Sequence, residues 1–136
     1  MIYLDTNVII SYIDELDSKH ENAKKLFNVL ESNRVVSKLT LAELTSVFFR
    51  ANLGNPVVFA LYSIEQSGAK VVDVDFNNII TKAPKLAQEL KLRTLDLLHL
   101  IICAEINVEF FATFDETIAN KSEDIQKLLK VRVISK

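Results

Sequence analysis

The sequence predicts an α/β fold with a mainly parallel five-stranded sheet flanked by about seven helices. Three observations point to it. Short apolar runs of strand length alternate along the chain with longer stretches of helical period. Glycine is scarce, with only 2 in 136 residues, which disfavours the many positive-φ turns of a β-sandwich. Hydrophobic residues make up 49% and charged residues 25%, ordinary globular usage for one domain over 1–136 with one core.

The elements follow in order. Ile2 to Leu4 reads as a short buried strand, and Thr6 to Asp14 as a helix with Val8, Ile9, Tyr12 and Ile13 at helical spacing. Ser18-x-x-Glu21 matches a capping box opening a second helix, whose stripe is Ala23, Leu26, Phe27 and Leu30. Val35 and Val36 form a second strand. Thr40 opens a helix to about Ala51 with Leu41, Leu44, Val47 and Phe48 inward. Asn55-Pro56 starts the next helix, with proline at its first position, and Gly68 ends it. Val71 to Val74 is the third strand. Asp75 to about Leu92 has a helical pattern in which Pro84 predicts a break or kink. Thr94 to about Ile106 is apolar nearly all round, which places that helix inside the domain. Phe110 to Thr113 is the fourth strand, Glu116 to Leu129 a helical segment, and Val131 to Ile134 the fifth strand.

Composition excludes several classes. The one cysteine, Cys103, allows no intrachain disulfide, and no Cys/His spacing suits zinc, so a cytoplasmic setting is expected. Met1-Ile2-Tyr3-Leu4 lacks a basic lead and meets Asp5 at once, unlike a secretory signal. No apolar run approaches ~18 residues, so no membrane span is expected. The net charge is −2 and the pI about 5.7. A chain this acidic offers no general basic surface to nucleic acid, so any such activity must rest on a local site.

Four acidic residues form the candidate site: Asp5, Glu43, Asp96 and Asp115. Asp5 follows the first strand and Asp115 the fourth, where open α/β sheets bind ligands. Glu43 and Asp96 lie in the first turns of helices, and in a parallel αβ unit helix starts share an edge with strand ends. Asp96, between Leu95 and Leu97, needs a partner if buried; His99 at i+3 is one candidate. If the four converge, two carboxylates about 5 Å apart repel by roughly 3 kcal/mol at an effective dielectric of about 20. Mg²⁺ or Mn²⁺ would relieve that repulsion, since these ions take oxygen ligands.

Each residue also has a purely structural explanation. Asp5 and Asp115 suit helix caps, and Thr40-x-x-Glu43 and Thr113-x-x-Glu116 both match capping boxes. His99 fits an orienting or packing role better than a ligand's. Cys103 reads as core. Phe48-Phe49 and Val57-Val58-Leu61-Tyr62 read as core or subunit interface. Lys38, Arg50, Lys91 and Arg93 lie near the expected edge as candidates for phosphate binding, or as a solvated face.

The motifs together resemble the PIN-domain nucleases. Ile2-Tyr3-Leu4-Asp5-Thr6-Asn7 resembles their opening, Thr40-Leu41-Ala42-Glu43-Leu44 their second acidic motif, Leu92-Arg93-Thr94-Leu95-Asp96-Leu97-Leu98-His99-Leu100 the third, and Phe111-Ala112-Thr113-Phe114-Asp115-Glu116 the fourth. The match covers the whole chain in order. The resemblance implies a three-layer α/β/α PIN-like fold and Mg²⁺- or Mn²⁺-dependent cleavage of RNA. It implies that Asp5, Glu43, Asp96 and Asp115 hold the metal, with Thr6, Asn7 and Thr113 in support and Glu116 as a candidate extra acid. A stand-alone domain of this size resembles the VapC toxins of toxin–antitoxin pairs, which implies a homodimer and a small VapB-like antitoxin partner.

Other readings compete. Within the same family the rival is an RNA-processing nuclease with no antitoxin. A haloacid-dehalogenase-type phosphatase wants a second aspartate two residues after the first, where this chain has Asn7. A non-catalytic receiver-like or interaction domain needs paired acids after the first strand, which Asp5-Thr6-Asn7 does not supply.

Overall fold

A computed structural model describes residues 1–30 and 33–135. Ile2, Tyr3 and Leu4 are all buried, and the strand they form, β1 (Ile2–Leu4), is the middle of the sheet. After it come α1 (Thr6–Ile13), α2 (His20–Val29), β2 (Arg34–Ser37), α3 (Lys38–Arg50), α4 (Pro56–Gln66) and β3 (Ala69–Val72). The second half comprises α5 (Phe76–Leu90), α6 (Thr94–Glu105), β4 (Phe110–Ala112), α7 (Glu116–Ala119), α8 (Ser122–Leu129) and β5 (Arg132–Ile134).

The strand order is β3-β2-β1-β4-β5 and every neighbouring pair is parallel. Parallel neighbours need helical crossovers, and side-chain alternation decides which face each crossover covers. Ile2, Leu4, Val36 and Ala112 point to one face and pack with Val8, Ile9, Leu26, Leu44, Ala60 and Ile64 from α1 to α4. Tyr3, Val35 and Phe111 point to the other and pack with Ile79, Leu100, Ile118 and Ile125 from α5 to α8. The result is the expected three-layer α/β/α arrangement. β1 has β2 on one side and β4 on the other, so the chain reverses its winding there. The crevice at such a reversal, beyond the carboxyl ends of the strands, is where this architecture places ligands.

Several details depart from the sequence reading. α2 starts at His20, not at Ser18; Asp17 organises the entry instead, its Oδ1 accepting from Lys19 N at 2.8 Å and from Ser11 Oγ at 3.1 Å. α3 starts at Lys38, capped by Ser37 in a box with Thr40, so the Thr40–Glu43 box does not form and Glu43 is released for other contacts. β3 pairs from Ala69 rather than Val71, because Gly68, at φ +67, turns the chain straight out of α4 into the ladder with β2. α5 runs unbroken through Pro84. Pro84 and Ile80, the residue whose carbonyl it leaves without a helical partner, are both exposed, so water can satisfy that group. The segment expected as one helix from Glu116 is two, α7 and α8, giving eight helices among the described residues. Ile118 and Ile125 are both fully buried, and the break at Asn120–Lys121 lets both reach the core.

Candidate functional site

Asp5 leaves β1 directly into α1. Its N–H donates to the Ala112 carbonyl at 2.9 Å, continuing the pairing with β4. Its side chain does two jobs. Oδ1 accepts from Thr6 N at 2.8 Å, which caps α1, and Oδ2 accepts from Thr113 Oγ1 at 2.7 Å. Asp115 is divided in the same way: Oδ1 accepts from Thr117 N at 2.8 Å to cap α7, while Oδ2 faces Arg93. At both positions the helix cap and the candidate site residue are therefore one and the same. The Thr113–Glu116 box does not form, because Thr113 serves as a hub. Its hydroxyl donates to Asp5 and accepts from Asp115 N at 3.0 Å and from Asn7 Nδ2 at 3.4 Å. Asn7 Oδ1 also accepts from Phe114 N at 3.1 Å. Asn7 thus pins the loop after β4 to the start of α1.

Glu43 reaches the same edge from α3. Thr6 Oγ1 donates to its Oε1 at 2.8 Å, and His99 Nε2 bonds the same oxygen. His99 is fully buried. Facing a carboxylate, its Nε2 carries a proton, and its Nδ1 meets the Tyr3 hydroxyl at 2.8 Å. Tyr3 in turn meets Ser37 Oγ at 2.8 Å. A buried polar chain therefore runs from β2 through β1 and α6 to Glu43. Its members lie in an apolar core, where an unpaired polar atom costs roughly 1–3 kcal/mol, and every link is satisfied. Burial works to raise the Glu43 pKa, but the hydrogen bond and charge of His99, with the Thr6 hydroxyl, outweigh it and hold the carboxyl below its ordinary value.

The sequence offered His99 as one candidate partner of Asp96. The structure corrects this: His99 turns inward to Glu43 and Tyr3, while Asp96 faces the outer edge of the same turn and pairs with Arg93. Arg93 Nε lies 3.4 Å from Asp96 Oδ2, and its Nη2 lies 3.2 Å from Asp115 Oδ2. The Asp96 carboxyl is raised, first by burial and next by the charge on Asp115, with Arg93 opposing. Asp5 is pushed up to about 6, first by burial, with His99 and Thr113 opposing and the charges of Asp96 and Glu43 adding to the rise. The four carboxylates come from four elements and act on one another electrostatically.

Among the described residues, no three acidic, histidine or cysteine side chains already stand in a metal-ligand arrangement. The chemistry of the donor set nevertheless fits a hard divalent cation. It is all carboxylate oxygen, and the guanidinium of Arg93 lies across Asp96 and Asp115 as a stand-in positive charge.

The remaining candidates are less central. Lys38 opens α3 and pairs with Asp73 at 3.3 Å. Arg50 Nε donates to the Ser46 carbonyl of its own helix at 3.3 Å, and its side chain lines a cavity with Glu43 and Leu95. Lys91 is the left-handed cap residue after α5. Glu116 is exposed at the start of α7, outside the bonds that tie the other four together. Cys103 is buried, with its thiol pushed up to about 12 by desolvation, which fits its reading as core. Sequence reasoning missed Tyr3, Ser37 and the span of Arg93. A tyrosine in a strand otherwise made of Ile and Leu was the available signal, since a buried phenol needs a partner.

The profile of the PIN domain family matches residues 2–124, and the chain belongs to that family. Among solved structures, a VapC toxin of Mycobacterium tuberculosis described as cleaving the sarcin–ricin loop shares 17% identity and a TM-score of 0.71, over 88% of this chain and 95% of that one. A toxin–antitoxin complex from Klebsiella pneumoniae shares 18% identity and a TM-score of 0.67, over 99% and 97%. The VapBC pair of nontypeable Haemophilus influenzae shares 23% and 0.62, over 99% and 98%. At these identities the likeness is one of fold. No curated protein sequence matches the chain. No helix among the described residues is long and apolar enough to cross a membrane.

Proposed function

We propose that this PIN domain, spanning 1–136, is an Mg²⁺- or Mn²⁺-dependent endoribonuclease that hydrolyses RNA phosphodiester bonds with Asp5, Glu43, Asp96 and Asp115. The observation that carries the reading is the convergence of the four at the winding reversal: Thr113 joins Asp5 to the loop of Asp115, the Thr6 hydroxyl bonds Glu43, and Arg93 spans Asp96 and Asp115. An acidic edge repels an anionic backbone unless a cation lies between them. Mg²⁺ or Mn²⁺ held by the four would activate water and offset phosphate charge.

The chain's own residues supply the positioning. Thr113 and Asn7 hold Asp5 and the loop that carries Asp115. Thr6 and His99 aim Glu43 and keep it ionised. Lys38 and Arg50 flank the edge as contacts for the RNA backbone, a role that fixes register rather than sequence.

We further read the chain as the toxin of a VapBC-type pair acting in the cytoplasm. The support is its resemblance in fold to toxins solved in toxin–antitoxin complexes. A small VapB-like antitoxin would be its partner, and a homodimer its assembly. Exposed apolar residues on α4 (Val58 65%, Tyr62 51%) favour an interface there. Light scattering of the purified chain measures the assembly, and a short adjacent reading frame that neutralises the chain on co-expression tests the pairing. The catalytic test is Asp96→Asn. Loss of Mg²⁺-dependent RNA cleavage by about 10²-fold or more with unchanged circular dichroism is expected. Full activity in that variant, or cleavage that persists in excess EDTA, refutes the reading.

A further inference from the structure

Asp96 and Asp115 sit on separate elements and repel each other, yet each carboxylate side chain is only 16% exposed. Two like charges so withdrawn from water need a counter-charge, and Arg93 provides it from the residue that precedes α6. Its backbone is extended there, at φ −65 and ψ 154, and its side chain makes no cap bond to the helix. The guanidinium instead places one nitrogen by each carboxylate. A planar fork of donors suits that double contact, which a lysine ammonium, as a point charge, reproduces only in part. The arginine side chain is itself 80% exposed, so no packing holds it and leaving costs little.

We propose that Arg93 is an exchangeable counter-ion of the acidic edge: it neutralises Asp96 and Asp115 until a divalent cation displaces it, and the released guanidinium then holds an RNA phosphate. This inference rests on the metal-nuclease reading above. It makes Arg93 a positioning residue with opposite effects on two measurements. As a competitor it weakens metal binding, and as a phosphate contact it strengthens RNA binding. Two exposed ion pairs at a few tenths of a kcal/mol to ~1 kcal/mol each correspond to roughly three- to thirtyfold in cation affinity.

The test titrates Mn²⁺ into wild type, Arg93→Gln and Arg93→Lys without RNA, following free Mn²⁺ by electron paramagnetic resonance, and then measures cleavage at saturating Mn²⁺. The exposure of Arg93 means both variants fold, and melting curves check this. Arg93→Gln is expected to bind Mn²⁺ about three- to thirtyfold more tightly while its KM for RNA rises, with Arg93→Lys intermediate in both. Unchanged or weaker Mn²⁺ binding by Arg93→Gln overturns the exchange and leaves the metal site standing. Tighter Mn²⁺ binding with an unchanged KM overturns the phosphate role. Failure of the wild type to bind Mn²⁺ overturns the metal reading itself, and this inference with it.

Discussion

Asp5→Asn measures the cost of ionising a buried carboxylate at the acidic edge. Asp5 is 5% exposed, and its pKa rises from 3.8 to about 6. A carboxyl whose folded pKa lies above its unfolded value favours the protonated form in the folded state. Its contribution to stability is complete below about pH 3.8 and is lost as pH climbs through about 6. At about 1.4 kcal/mol per pH unit, ionising Asp5 costs the fold roughly 3 kcal/mol at pH 7. Asparagine removes that cost. It also weakens the bond with Thr113, whose hydroxyl already accepts from Asp115 N, by about 1 kcal/mol at every pH. The offset and the slope therefore separate. The assay is urea unfolding of wild type and Asp5→Asn from pH 4 to pH 7.5 in EDTA. The stability of the variant relative to wild type is expected to climb by roughly 2.4 kcal/mol across that range, since pH 4 already lies above the unfolded pKa. Added Mg²⁺ at pH 7.5 is expected to stabilise wild type more than the variant. Parallel curves for the two proteins refute the reasoning, because they would mean that Asp5 ionises in the fold as easily as in the unfolded chain.

Two further predictions concern the scaffold. Tyr3→Phe leaves His99 Nδ1 without its 2.8 Å partner in the core, and a double-mutant cycle with His99→Leu is expected to show coupling of about 1 kcal/mol in chemical unfolding; additive costs would mean the chain from Tyr3 to Glu43 is not an energetic unit. Pro84→Ala restores a helical bond in the exposed middle of α5, and an increase of about 2 kcal/mol is expected, the helix gain of ~3 kcal/mol less the entropy that proline removes from the unfolded chain. A melting temperature that stays level or falls after this substitution counts against it.

The parallel α/β architecture was legible because it depends on periodicity. Buried strands such as Ile2–Leu4 read as continuous apolar runs, and α6 reads as a helix with hardly a polar face. Two of the misread boundaries were those at which one residue competes with its neighbour for a role. Ser37 took the cap that Thr40 was expected to make, and Asp17 organised the entry expected of Ser18. Caps are decided by which side chain the incoming loop aims at the first free N–H groups, and local pattern does not contain that direction.

The sequence by itself determined that four carboxylates lie at strand ends and helix starts, because an αβ repeat assigns those positions to one edge of a parallel sheet. It also carried the order of motifs that marks the PIN family. Only the tertiary structure decided the pairing. Winding from β1 to β2 on one side and β4 on the other brings α3, packed beside β2, and α6, packed beside β4, to one edge of the sheet. Glu43 and His99 then meet across 56 residues, and Thr113 meets Asp5 across 108. Such contacts rest on how packed layers register, and spacing along the chain does not encode that. The same cause gave His99 to Glu43 rather than to Asp96. It also left Arg93 between two carboxylates that the sequence placed 19 residues apart.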